Sequence, residues 1–83
     1  MRWYRKAALQ GDADAQNNLG LMYANGEGVP KKHVMAYMWW SLAAAAGNKE
    51  AAKNLDIVKK RMTPAQVAKA QEMAAKWRPK KAK

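Results

Sequence analysis

The sequence predicts an all-α fold, a solenoid of about five paired helices. Three observations carry that expectation. Residues 3–19, WYRKAALQGDADAQNNL, return 36 positions later as WWSLAAAAGNKEAAKNL at 39–55. Within and around both copies, apolar residues recur at helical spacing. Gly- and Pro-bearing breaks cut the chain into segments of helix length. A period of 20–50 residues marks units that cannot bury their apolar faces alone and therefore stack.

The first helix, roughly residues 2–9, stops at Gly11, a residue suited to a left-handed helix end. Asp12 offers a polar start to the second helix, about 12–25, and Asp14 in its first turn suits the helix dipole. Ala15, Leu19 and Tyr23 fall at i, i+4 and i+8 and should face inward. NGEGVP ends this helix. The third helix, about 32–46, is apolar on nearly every side, which predicts a place in the middle of the stack. Gly47-Asn48 closes it. The fourth helix, about 48–61, turns Ala51, Leu55, Val58 and Met62 inward. In the fifth, Thr63 is the N-cap, Pro64 takes the first helical position and Gln66 completes a capping box. Val67, Ala70, Ala74 and Trp77 form its inner stripe, and Pro79 begins a basic tail.

The aligned copies match at Trp3/Trp39, Ala7-Ala8/Ala43-Ala44, Gly11/Gly47, Asp14/Glu50, Ala15/Ala51 and Asn18-Leu19/Asn54-Leu55. The pattern Leu19-Gly20-x-x-Tyr23-x-x-Gly26-x-Gly28-Val29, then Ala36-x-x-Trp39-x-x-x-Ala43-Ala44-x-x-Gly47, resembles the Sel-one-like repeat family, a cousin of tetratricopeptide repeats found in bacteria and eukaryotes. The resemblance covers about residues 3–62. It implies a right-handed superhelical stack that scaffolds protein–protein contacts without chemistry of its own. The signature has a physical reading. Gly20 permits close approach, Tyr23 and Trp39 fill the space between helices, and Ala43-Ala44 keep the third helix slim. The expected organisation is one domain over 1–78, followed by a frayed tail at 79–83. Within it, a partial repeat at 1–11 precedes a full repeat at about 12–47, and a degenerate terminal repeat with capping helix fills 48–78.

Three departures stand out. The chain opens inside a repeat, which leaves Trp3, Tyr4 and Leu9 as a candidate homodimer edge. The second copy breaks down after Leu55, with Asp56 and Lys59 where Gly20 and Tyr23 stood. The family usually has an Asp before the third helix, whereas Lys31-Lys32-His33 stands there, and such cations oppose the dipole by about 0.3–1 kcal/mol each.

Composition narrows the function. With no Cys and a single His, neither a thiolate nucleophile nor a zinc site is expected, and no metal or cofactor is implied. Ser41 and His33 stand eight residues apart on one helix, too far for direct proton transfer, and no phosphate-cradling loop is present. No apolar run reaches membrane-spanning length, so a cytoplasmic location without membrane contact is expected. The net charge of +10 is uneven: +2 over residues 1–48 and +8 over 49–83. That asymmetry leaves a nucleic-acid-associated protein as the alternative, gripping phosphates through its C-terminal helices. No base-reading motif accompanies the lysines, and the tryptophans fall on core stripes.

The repeat geometry implied by the resemblance presents the inner face of the first helix of each unit. It places Asp14, Asn17, Leu21 and Asn25 there from the first repeat, and Glu50, Lys53, Ile57 and Lys60 from the second. These are the candidate partner-binding residues, suited to a peptide or protein segment, an acidic one in particular. Lys31, Lys32 and His33 form a possible anion site, with a solvated loop as the plainer reading.

Overall fold

The computed structural model describes residues 2–26 and 32–77, with residues 2–4 described by backbone alone. Five helices follow in order: α1 (Arg2–Leu9), α2 (Ala13–Asn25), α3 (His33–Ala45), α4 (Lys49–Lys59) and α5 (Pro64–Lys76). Among the described residues there is no strand. The Gly28-Val29 and Lys31 positions, the tail, and the side chains of Trp3 and Tyr4 lie outside what is described.

The duplicated stretch folds the same way twice. After α1, the amide of Asp12 donates to Ala7 O and that of Gly11 to Ala8 O, at 3.1 and 3.0 Å. After α3, Asn48 donates to Ala43 O and Gly47 to Ala44 O, each at 3.0 Å. This paired pattern is a Schellman ending, and it needs a left-handed residue, which Gly11 and Gly47 both supply at φ 98°. The next residue then caps the following helix. Asp12 Oδ1 accepts from the Ala15 amide at 3.1 Å, and Asn48 Oδ1 from the Ala51 amide at 2.8 Å. Helix end, turn and helix start are thus written in six residues, which is why the repeat is visible across that junction.

The other ends obey the same chemistry. Thr63 caps α5 by accepting from the Gln66 amide at 3.2 Å, while Gln66 Oε1 accepts from the Thr63 amide at 3.0 Å. This reciprocal box, with Pro64 at the first position, starts α5 where the sequence places it. Lys32 stands at the N-cap of α3 with no side-chain cap bond. Its amide donates instead to Tyr23 O at 2.9 Å, which ties the start of α3 back to α2.

α3 is the middle layer, packed against α2, α4 and α5, while α1 packs on α2. Its all-round apolarity requires this: Ala36, Tyr37, Met38, Trp39, Trp40 and Ala43 are all buried. Each tryptophan ring removes about 200 Å² of apolar surface from water. At about 25 cal/mol per Å², that stabilises the fold by about 5 kcal/mol per ring as an upper bound. Trp39 meets Trp77 edge to face, with ring centroids 6.0 Å apart and planes at 74°. Through this contact the end of α5 is held on α3.

Trp40 lies across Gly20. A Cβ at Gly20 would fall 2.5 Å from Trp40 Cδ1 and 2.7 Å from Cε2. The same ring donates Nε1–H to the Asn17 carbonyl at 3.1 Å. What approaches Gly20 is therefore an indole face, and the glycine is fixed by the ring it accommodates. Among the described residues, two buried side-chain atoms have no hydrogen-bond partner, Gln16 Oε1 and Trp39 Nε1. The other end of the Gln16 amide does useful bonding, since Nε2 donates to Ala8 O at 3.1 Å and joins α2 to α1.

Candidate peptide-binding groove

α2 and α4 occupy equivalent places in the two repeats, and both pack on α3. Their neighbouring faces are joined by amides. Asn17 Nδ2 donates to Glu50 Oε1 at 3.1 Å, and Asn54 Nδ2 donates to Asn17 Oδ1 at 3.2 Å. At the N-terminal end of the pair, Asn48 Nδ2 donates to Asp14 Oδ1 at 3.1 Å. The two helices therefore meet through a short ladder of side-chain bonds.

This ladder changes the part played by several predicted residues. Asn17 is buried, and both ends of its amide are engaged across the repeat boundary. Asn17, expected above among the partner-binding residues, thus has its side-chain amide engaged between α2 and α4. Asp14 and Glu50 are exposed, yet each carboxylate already accepts from an asparagine. Lys53 and Lys60 are exposed.

Toward the C-terminal ends of α2 and α4 the surface becomes apolar. Leu21 and Ile57 are the exposed large hydrophobic residues among those described, 37% and 56% accessible. They stand 36 positions apart, so each is the other's counterpart in the repeat. Both line one open depression of about 200 Å³, together with Asn25, His33, Trp40, Asn54, Val58, Ala24 and Arg61. Of the predicted partner residues, Leu21, Asn25 and Ile57 thus come together. His33 joins them, apart from Lys32, which is exposed and does not line the depression. Leu9, named above as part of a dimer edge, is half-buried against the core.

Arg61 was missed by sequence reasoning, although a signal for it was present. Stepping along α4 from Ile57 allows either position 60 or 61. Adding 36 to Asn25 selects Arg61, and that is the residue lining the depression. Asn54 also lines the depression, but its counterpart Asn18 is off the predicted stripe, so the repeat offset gives no signal for it.

Comparison with known protein families matches residues 1–12 and 13–48 to the Sel1 repeat, together more than half of the 83 residues. The chain belongs to the Sel1 repeat family. The match boundaries fall on the caps Asp12 and Asn48, where each Schellman ending hands over to the next helix. A search of curated proteins returns no significant match. Sel1 repeats mediate protein–protein interaction and are typically non-catalytic. Residues from 49 onward lie beyond the matched segments. There α4 nonetheless has a side-chain cap like that of α2, and Ala51 is buried as its counterpart Ala15 is. Among the described residues, no group of three or more potential metal ligands is found. No described helix is long and apolar enough to cross a membrane.

Proposed function

We propose that this chain is a non-catalytic interaction module that holds a peptide or protein segment along α2 and α4, on the inner face of the stack. The observation that carries the reading is the shared depression formed by Leu21 and Ile57, equivalent residues of successive repeats left exposed beside Asn25 and Arg61. An exposed apolar pair bordered by polar groups is the composition of a recognition surface. The amide ladder supports the reading further, because it holds the two walls at a set spacing before any partner arrives.

The test is capture of partners from a native extract by the intact chain and by a double variant, Leu21→Ser with Ile57→Ser. Both residues are exposed, so helical circular dichroism should be retained. Proteins held by the parent chain and identified by mass spectrometry should be lost from the variant. Equal capture by a folded variant rejects the groove.

A further inference from the structure

The pocket suggests a more definite occupant, and the suggestion rests on the groove reading above. Its lining divides by chemistry. Leu21, Ile57 and Val58 supply the apolar part, and Arg61 supplies a fixed cation beside the N–H donors of Asn25 and Asn54. Among the described residues no carboxylate lines it. The acids of the same two helices lie elsewhere. Asp14 and Glu50 sit in the first turns of α2 and α4, bound to Asn48 and Asn17. Asp56 is exposed on α4 and does not line the depression. The positive end of the groove is therefore also its apolar end.

Size and charge both limit what fits. About 200 Å³ is below the roughly 300–1,000 Å³ of small-molecule pockets, and suits one side chain better than a cofactor. A guanidinium at the edge of an apolar surface selects a planar carboxylate, which it can engage through two parallel bonds. The net charge of +10 adds a long-range field of the same sign. We infer that the pocket takes an aliphatic side chain of an acidic peptide segment, with a carboxylate adjoining that side chain held by Arg61.

The experiment titrates the full isotope-labelled chain with capped synthetic peptides in a Gly-Ser frame, reading methyl shifts of Leu21 and Ile57 and side-chain amide shifts of Asn25 and Asn54. Four probes carry leucine between glutamates, leucine between glutamines, leucine between lysines, and serine between glutamates. A fifth probe is a dT oligonucleotide. The leucine–glutamate peptide should shift all four residues. Affinity should fall about fivefold or more for the glutamine peptide and further for the lysine peptide. The serine–glutamate peptide should lose the methyl shifts. Arg61→Gln, a change at an exposed residue, should abolish the preference for glutamate over glutamine while leucine binding persists. Equal binding of the leucine peptides whatever their charge overturns this inference and leaves the groove reading standing. Shifts confined to other surfaces, or none with any peptide, overturn both. The same shifts from the oligonucleotide at lower concentration would mean that the site reads phosphate, and would also overturn the inference.

Discussion

Replacing Gly20 with alanine places one methyl group in the path of the Trp40 ring. In an exposed helix this change would stabilise the chain by about 0.5–1 kcal/mol, because alanine loses less backbone freedom. Here the added carbon would lie 2.5 Å from Trp40 Cδ1, closer than any tolerated contact, so the ring must move. Trp40 is only 4% exposed, so the ring must shift against packed neighbours except where it borders the depression. Overpacking of this kind costs about 1–3 kcal/mol. Displacement also pulls Nε1 from the Asn17 carbonyl, and a buried donor left unpaired costs a further 1–3 kcal/mol or so. Net of the propensity gain, destabilisation should be about 3 kcal/mol, out of a total of about 4–12 for a chain of this size. Urea unfolding followed by circular dichroism measures it, and a second background isolates the cause. With Trp40→Leu already present, Gly20→Ala should be neutral or stabilising. A Gly20→Ala chain as stable as its parent, or an equal loss in both backgrounds, refutes the assignment of Gly20 to the indole.

Asn17→Ala should destabilise by about 2 kcal/mol, since Glu50 and Asn54 both lose a part-buried partner, whereas Lys53→Ala at the equivalent exposed position should stay within about 0.5 kcal/mol. Chemical denaturation of the two variants side by side checks the contrast. Asp12→Ala and Asn48→Ala should each cost about 1 kcal/mol through loss of a cap. Asn48→Ala should cost about 0.5 more, because its amide also reaches Asp14; thermal melts of the pair would show the difference. Trp77→Ala removes the edge contact on Trp39 and should destabilise by about 2–3 kcal/mol. Hydrogen exchange should then show α5 opening ahead of α2 and α3, and uniform protection across all helices would contradict that picture.

The helices were legible because their boundaries are local chemistry. Gly11-Asp12 and Gly47-Asn48 each specify an ending and a start within two residues, and Thr63-Pro64 with Gln66 does the same for α5. The central place of α3 followed from its lack of a polar side. The site was legible only in part. Helix phase, together with the repeat geometry that the resemblance implies, put Leu21, Asn25 and Ile57 on one face, and all three line the same depression. It could not show that Asn17, on the same stripe, points into the boundary between repeats, because the partners that bury it come from residues 50 and 54, one repeat later. Nor could it choose between Lys60 and Arg61, one step apart at the end of α4. That choice depended on the register between repeats, a long-range relation that periodicity within one helix does not contain.

The ladder running Asn54, Asn17, Glu50 has a consequence for how this surface can evolve. Directional bonds, unlike greasy contacts, hold one separation and resist sliding. Residues around Leu21 and Ile57 are therefore free to diverge toward new targets while the bracket beneath them keeps its gauge.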